Sequence, residues 1–310
     1  MKVSFIGECM LECALGGNNP IYGFGGDTMN TAIYLSRVSR QLGTNIDVQY
    51  FTAVGDDALS DGLIEQWSLE GIGVGAIYRD PSRLPGLYVI NNDADGERSF
   101  YFWRGESAAK YMFYQPKVEE WLQKLQDSDY IFLSGVTLGI LDEFSLSILE
   151  QSLIEAKFNG AKIIFDNNYR AALWPSALAA KAAFERIYCL SELSLISLED
   201  EEAVFNSSGL ESIVARFSEE YPQTVVVKNG GQGLWVLDSK GDIRSLSLDL
   251  VDDVVDTTAA GDSFNAAFLA GYIHGLGFDQ ALHSGHILAK EVIRHRGAII
   301  PIHSMPKSYV

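Results

Sequence analysis

The stretch with the most chemical content lies near the C-terminal end, where small residues precede a helical pattern. Residues 254–273 read VVDTTAAGDSFNAAFLAGYI: two valines end an apolar run, Ala259, Ala260 and Gly261 follow, and apolar residues then recur at helical spacing. Free backbone N–H groups and the positive dipole end make such a helix start an anion site. Asp262 stands inside it. A carboxylate there is either a helix cap or a group that takes a proton in a reaction.

Composition narrows the class of protein. The chain has 310 residues, 47% of them hydrophobic, which suits one large α/β domain with a sizeable core. It carries 41 acidic and 23 basic side chains, a net charge of −18, which argues against nucleic acid or anionic membrane as a partner. Cys9, Cys13 and Cys189 are scattered and lack zinc spacing, so we expect a reduced, cytoplasmic protein. We find no signal segment and no apolar run long enough to span a membrane.

Alternating strand and helix patterns predict the fold. Strand-like runs at 2–6, 48–54, 129–134, 161–166, 193–198 and 224–228 alternate with helical patterns. Among these are an amphipathic helix after the Gly pair in 24–38, and the segments 141–158 and 283–296. This order predicts an α/β fold with a doubly wound, mostly parallel sheet, and a site beyond the carboxyl ends of its strands.

Two further runs break this alternation. PGLYVI and RSFYFWR, separated by the polar segment NDADGE, predict a hairpin between residues 84 and 110. Together with part of 9–23 they suggest a small β-rich lid off the main sheet. The aromatic residues Tyr88, Phe102 and Trp103 fit a lid core or a contact between subunits. Arg104 differs, because its planar guanidinium matches a carboxylate.

Polar and glycine-rich clusters mark other candidate contacts. Gly25, Gly26, Asp27 and Asn30 open the first helix, where Asp27 is either an N-cap or a ligand contact. The segment DNNYR at 166–170 ends one strand, the acidic run SLEDEEAVF follows another, and KNGGQG follows a third.

The segments FGGDTMN, DNNYR and DTTAAGD resemble the signatures of the ribokinase-like (PfkB) carbohydrate kinase family. The resemblance covers the whole chain and implies a single ribokinase-like domain over 1–310, with a discontinuous lid from about 9–23 and 84–110. It implies that Asp262 is the base and that the amides of the loop Ala259–Asp262, which includes Ala260 and Gly261, hold the migrating phosphoryl group. It further implies ATP and Mg²⁺, a monovalent cation such as K⁺, and a homo-oligomer formed through the lid.

The resemblance also assigns contacts to the two substrates. Those to the sugar are Gly25, Gly26, Asp27, Asn30, Tyr88, Phe102, Trp103, Arg104, Arg170 and Asp262. Those to the nucleotide are Asn168, Arg170, Ser197, Lys228, Asn229, Gly230, Gly231, Gly233, Ala259, Ala260, Gly261 and His286.

The sequence departs from the family pattern at four places. Ala259 replaces a more usual Gly and is tolerable if its φ is negative. The acidic run SLEDEEAVF stands where the family has an NxxE element that orders Mg²⁺. This run lacks the Asn, and its register is open between Ser197–Asp200 and Glu199–Glu202. Lys228 replaces a small polar residue and adds a phosphate-seeking charge. His286 replaces an Asn, so it either contacts nucleotide or packs in the core.

One subgroup of the family is matched most closely, through GFGGDTMNT, RLPGLYVI and GERSFYFWR. It implies transfer of the ATP γ-phosphate to the terminal hydroxyl of 2-dehydro-3-deoxy-D-gluconate, whose carboxylate suits Arg104 and Arg170. Another sugar kinase of the family, a fructokinase or ribokinase, is the first alternative, and a non-catalytic sugar-acid sensor is the second. A dinucleotide oxidoreductase is disfavoured, because no GxGxxG follows the first strand. The choice between gluconate- and galactonate-derived acids stays open.

Overall fold

The computed structural model describes residues 1–15, 21–92, 98–221, 223–249 and 251–309. Its strands are β1 (Lys2–Ile6), β2 (Met10–Leu15), β3 (Ile21–Gly25), β4 (Asp47–Gly55), β5 (Ile77–Asp80), β6 (Leu87–Asn92), β7 (Arg98–Trp103), β8 (Tyr130–Ser134), β9 (Lys162–Asp166), β10 (Leu193–Ser197), β11 (Thr224–Lys228), β12 (Leu234–Leu237) and β13 (Ile243–Leu246). Its α-helices are α1 (Asp27–Gln41), α2 (Ala58–Leu69), α3 (Val118–Gln126), α4 (Gly135–Ile140), α5 (Glu143–Phe158), α6 (Ala177–Leu190), α7 (Leu198–Phe205), α8 (Gly209–Glu220), α9 (Ala260–Ile273) and α10 (Phe278–Val292).

The large sheet has the strand order β13-β12-β11-β10-β9-β8-β1-β4-β5. Its strands pair in parallel except β12 and β13, which form an antiparallel edge. This confirms the predicted doubly wound, mostly parallel sheet. The chain turns from one side of β1 to the other when it reaches β8, and ligands bind beyond the carboxyl ends of the strands at such a switch point.

Both faces of the large sheet are covered. Successive side chains of a strand point to opposite faces, so Phe5 joins one hydrophobic cluster and Ile6 the other. The Phe5 cluster includes apolar residues of α1, α9 and α10, and the Ile6 cluster includes those of α5 and α6. This double burial is why the predicted strands read as continuous apolar runs.

A second sheet has four strands in the described residues, in the order β3-β2-β6-β7. β6 and β7 pair antiparallel with Tyr88 opposite Phe102, which confirms the predicted pair of strands. The connecting segment 93–97, like 16–20 of the predicted lid, lies outside the described residues.

Two sequence predictions need correction. Val254 and Val255 are not a strand end: the backbone around them is irregular, both side chains are about half exposed, and the N–H of Val255 donates to the carbonyl of Ile293. The last helix runs over Phe278–Val292, earlier at both ends than 283–296. The first helix begins at Asp27, directly after the Gly pair as predicted, and residues 21–25 before it pair as β3.

Among the helices that the structure describes, none combines the length and apolarity needed to cross a bilayer.

The helix that carries Asp262 is fixed by close packing against α10. A Cβ on Gly285 of α10 would lie 2.7 Å from two ring carbons of Phe264 and 3.0 Å from its carbonyl oxygen. Only glycine fits at position 285, where α10 contacts Phe264 of α9. Phe264 lies two residues after Asp262, so this contact fixes the part of α9 that carries the carboxylate.

We expect Gly285→Ala to lower the free energy of unfolding by about 1–3 kcal/mol through this steric conflict. Gly62→Ala in α2 is the matched control, because a Cβ there would meet no atom within 4 Å; we expect it to stabilise by about 0.5–1 kcal/mol through helix propensity. Urea unfolding of the three proteins measures both values. Equal effects of the two substitutions would contradict the packing argument.

Candidate active site

A cavity of about 1110 Å³ lies beyond the carboxyl ends of β9, β10 and β11, between the large sheet and the four-stranded sheet. Its wall includes Asp262 and the preceding turn, strand-end side chains of the large sheet, and side chains of β6 and β7. The volume exceeds the range of about 300–1,000 Å³ usual for one small ligand. It can therefore hold two substrates at once.

Asp262 is the third residue of α9 and not its N-cap. The N-cap is Ala259, and its side chain cannot accept a hydrogen bond. The Asp262 carboxylate instead accepts a hydrogen bond from Nδ2 of Asn30, at 2.8 Å. Burial raises its pKa to about 7, with a further contribution from the neighbouring charge of Asp27, against the opposing effects of Asn30 and Lys228. A carboxylate with a pKa near the working pH is suited to act as a general base.

The turn before α9 holds Ala259 in a conformation that alanine usually avoids. Its φ is +59° and its ψ is 17°, in the left-handed region, so the condition for an unstrained methyl group, a negative φ, is not met. A Cβ in this region costs about 1–2 kcal/mol, and strain of this kind is held in place by surrounding structure at functional loops. The N–H of Ala260 donates to the carbonyl of Thr257 at 3.2 Å. The N–H groups of Gly261 and Asp262 belong to the first helical turn, which offers them no carbonyl partner within the helix.

Lys228 at the end of β11 supplies a cation beside this turn. Its Nζ lies 3.3 Å from Oδ1 of Asp166 and 2.9 Å from Oδ1 of Asn265. Nδ2 of Asn265 donates to the other oxygen of Asp166 at 2.8 Å. A Cβ on Gly261 would lie 4.0 Å from Nζ, so the ammonium borders the predicted phosphate loop. Sequence reasoning missed Asn265, although it lies three residues after Asp262 and so on the same side of the helix.

A second polar contact links the start of α1 to the strand ends. Nδ2 of Asn168 donates to Asp27 at 2.6 Å. Asp27 is not the N-cap of α1, because Gly26 takes that position. Gly26 is needed there, since a Cβ would lie 2.2 Å from the carbonyl oxygen of Glu8.

The acidic run after β10 presents only one of its two candidate registers to the cavity. Ser197 and Asp200 line it, whereas Glu199 is exposed outside it. Glu201 is buried against Arg216, and it accepts hydrogen bonds from Tyr188 and Asn167. Glu202 accepts the N–H of Gly209.

Asp200 is the acidic residue of the Ser197–Asp200 register, and its side chain lies in the cavity wall. Burial raises its pKa to about 6, against the nearby charge of Arg170, whose Nη1 lies 3.9 Å from Asp200. Sequence reasoning missed Asn167, whose Oδ1 accepts the Ser197 N–H at 2.8 Å and so fixes the end of β10.

Successive side chains of β7 point to opposite faces, so the aromatic residues predicted to contact the sugar do not all face the cavity. Phe102 and Arg104 line the cavity together with Tyr88 of β6. Trp103 lies on the other face of β7 and outside the cavity wall, so the cavity lining does not support its predicted contact with the sugar. Arg104 pairs with Glu8, and the hydroxyl of Tyr88 donates to Glu12. Sequence reasoning missed both glutamates, because nothing local marks an acid as the partner of a residue 76 or 96 positions away.

Of the remaining residues predicted to contact the nucleotide, some line the cavity and others do not. Gly230 and Gly231 line the cavity, but Asn229 and Gly233 do not: the N–H of Asn229 donates to the carbonyl of Gly233 and closes the turn between β11 and β12. His286 lines the cavity, and burial lowers its pKa, which favours the neutral imidazole. Gly25 also lies at the wall, where a Cβ would come within 2.3 Å of the Tyr88 hydroxyl.

A doubly wound sheet with a small second sheet over the switch point, and an Asp in the first turn of a helix that follows small residues, is the arrangement of a ribokinase-like sugar kinase. Residues 3–305 match the pfkB family carbohydrate kinases, and the chain belongs to that family. It is 38% identical to the 2-dehydro-3-deoxygluconokinase of Dickeya dadantii over 98% of each chain. The protein is thus a phosphotransferase with an alcohol acceptor.

Solved structures agree with this fold. The 2-dehydro-3-deoxygluconokinase of Thermotoga maritima superposes with a TM-score of 0.81 at 21% identity over 98% of each chain. A putative ribokinase II of E. coli in complex with ATP and Mg²⁺ gives 0.79 at 23% identity, over 98% of this chain and 96% of the other.

We expect Asp262→Asn to lower turnover by about 10²–10⁴, because the amide cannot take the hydroxyl proton. In the unsubstituted protein, kcat/KM should fall as the pH drops below about 7, where the carboxylate becomes protonated. Coupled ADP release across pH measures both. Asp252→Asn is the control, since Asp252 is exposed and outside the cavity wall. Near-normal turnover of Asp262→Asn would rule out Asp262 as the base.

The same substitution has an opposite effect on stability. The folded pKa of Asp262, about 7, lies above its ordinary value of 3.8, so the folded state holds this proton more tightly than the unfolded state does. The contribution of this group to stability is complete below the unfolded pKa and is lost as the pH rises through about 7. We therefore expect Asp262→Asn to stabilise the fold at pH 8.5 and to lose much of that gain at pH 5.5. Urea unfolding at both values tests this; a gain that shrinks as the pH rises would contradict it.

Proposed function

We propose that the protein transfers the γ-phosphoryl group of ATP to the terminal hydroxyl of 2-dehydro-3-deoxy-D-gluconate. The observation that carries this proposal is that Asp262, at a free helix start, and Arg104 line one and the same cavity. The relative from Dickeya dadantii bears the name of this activity at 38% identity. The acceptor carries a carboxylate, and a guanidinium offers a fork of donors that matches it.

The reaction assigns a role to each wall of the cavity. The carboxylate of Asp262 takes the proton of the acceptor hydroxyl, whose oxygen forms a bond to the γ-phosphorus as the bond between that phosphorus and the bridging oxygen of ADP breaks. The N–H groups of Gly261 and Asp262 and the ammonium of Lys228 bind the transferring group. Donors already in place for developing charge are the largest source of catalysis in such sites.

The carboxylates of the cavity wall suit Mg²⁺ that arrives bound to the phosphates of a nucleotide. Among the described residues, no group of three or more His, Cys, Asp or Glu side chains could cage a metal ion. Mg²⁺ bound with phosphates needs only one or two carboxylates and keeps several waters. Asp200 and Asp166 on the cavity wall would hold it, and when bound it neutralises charge on the phosphates. A monovalent cation such as K⁺ stays a prediction from the family resemblance.

We also propose that the four-stranded sheet is a lid on the single kinase domain and that its outer face joins two copies of the chain. Tyr22, Tyr101 and Trp103 are 77%, 52% and 60% exposed, which is unusual for a cluster of large aromatic residues on one small sheet. Sedimentation of Trp103→Ser against the unsubstituted protein tests this. An unchanged mass in the two proteins would contradict the proposal.

A substrate panel tests the function directly. We expect coupled ADP production with 2-dehydro-3-deoxy-D-gluconate to exceed that with fructose or ribose, and the galactonate epimer measures stereochemical preference. Fructose or ribose as the best acceptor would favour the alternative sugar kinases. Absence of turnover with every acceptor would favour the sensor, which the position of Asp262 in the cavity argues against.

We expect Arg104→Ala to raise KM for the acid by about 10–100-fold, the value of a hydrogen bond to a charged group of 1.5–3 kcal/mol. KM for 3-deoxyglucosone, which has an aldehyde in place of the carboxylate, should change little. Arg79→Ala, which removes an arginine paired with Asp56 and Asp61 outside the cavity wall, is the control. Equal losses for the acid and the aldehyde would contradict the carboxylate assignment.

A further inference from the structure

Glu8 is a charged side chain in the wall of the cavity that the proposed reaction does not use. It lies in the connection between β1 and β2, and its side chain is 0% exposed. It accepts a hydrogen bond from Nη2 of Arg104, whose side chain is 15% exposed. Both residues line the cavity.

Burying the Glu8–Arg104 ion pair has an unfavourable desolvation free energy. Removing two charges from water costs several kcal/mol for each ion, and a buried pair is often no more stable than an apolar replacement. Two of its atoms, Oε1 of Glu8 and Nε of Arg104, are buried without a hydrogen-bond partner in the described part of the chain. Stability alone therefore does not account for Glu8.

The surrounding packing holds the carboxylate in one place. A Cβ on Gly86, just before β6, would lie 2.7 Å from Oε1 of Glu8, 2.8 Å from Cγ of Met10 and 3.3 Å from Cβ of Arg104. Glycine at this position lets the backbone close against the ion pair. Glu8 before β2, Gly86 before β6 and Arg104 after β7 thus meet at the ion pair, and this packing restrains the arginine side chain.

We propose that Glu8 is a positioning residue that orients Arg104 toward the carboxylate of the acceptor and thereby sets the preference for an acid over a neutral sugar. This rests on the proposed function. A guanidinium presents its donors in a fixed plane, so a hydrogen bond to one nitrogen sets the direction of the others. Arginine held in this way loses less conformational entropy when the ligand binds.

The test compares Glu8→Ala and Glu8→Gln with two acceptors, 2-dehydro-3-deoxy-D-gluconate and its aldehyde analogue 3-deoxyglucosone. We expect Glu8→Ala to raise KM for the acid about tenfold, the worth of one charge-assisted hydrogen bond, with little change in kcat or in KM for the aldehyde. Glu8→Gln keeps an acceptor for Nη2 and should stay within about threefold of the unsubstituted protein, since the orientation survives.

A double-mutant cycle tests whether Glu8 acts through Arg104. We expect Glu8→Ala to have no further effect on KM for the acid when Arg104 is already alanine, because the two residues form one unit. Glu70→Ala is the matched control: it leaves Arg37, which is 5% exposed, without its carboxylate partner outside the cavity wall. It should lower stability without changing the ratio of the two KM values.

Three results would overturn the inference: an unchanged KM for the acid in Glu8→Ala, equal rises for acid and aldehyde, or additive effects in the cycle. If Glu8→Ala does not fold, Gly86→Ala displaces the same carboxylate by steric contact and should raise the acid KM alone. The unsubstituted protein separates the two claims. No preference for the acid there defeats the proposed function and the inference together, whereas a preference that survives Glu8→Ala defeats only the inference.

Discussion

The site depends on the shortage of positive charge around three carboxylates that converge at the carboxyl ends of the strands. Asp27, Asp166 and Asp262 interact through a desolvated space, and Lys228 is the cation that opposes them. In such surroundings a carboxylate keeps its proton to a higher pH than it would in water. Asp166 has the ammonium at 3.3 Å, while Asp262 accepts a hydrogen bond from the amide of Asn30. Burial raises the pKa of both carboxyl groups, and that of Asp262 reaches about 7.

This arrangement follows from the topology of the sheet. Asp166 ends β9 and Lys228 ends β11, on either side of β10, so parallel pairing brings both to the same edge. Asn30 and Asp262 lie 232 residues apart in sequence, but α1 and α9 pack on the same face of the sheet and bring them within 2.8 Å. The close packing of Gly285 against Phe264 holds α9 in the position that the hydrogen bond between Asn30 and Asp262 requires.

The sequence predicts the fold well, because burial on both faces of a parallel sheet leaves continuous apolar runs. It predicts the site less completely. The alternation of β7 could have shown that Trp103 points away from Phe102 and Arg104, since side-chain direction has a period of two. The positive φ of Ala259 could not be foreseen, because alanine itself avoids that region and only the fold compels it. Glu8 and Asn265 act through partners distant in sequence, and local patterns carry no record of such pairs.

The pairing of cations with buried acids also resolves an apparent conflict with composition. A chain of net charge −18 repels anions at long range, yet both proposed substrates are anionic. Arg104 is backed by Glu8 and Lys228 by Asp166, so neither cation contributes an unbalanced positive field. Recognition then rests on oriented donors in one cavity, which are the guanidinium plane of Arg104 and the free amides at the start of α9. Donors of this kind select a ligand by the geometry of its oxygens, which suits the proposed discrimination of a sugar acid from other anions.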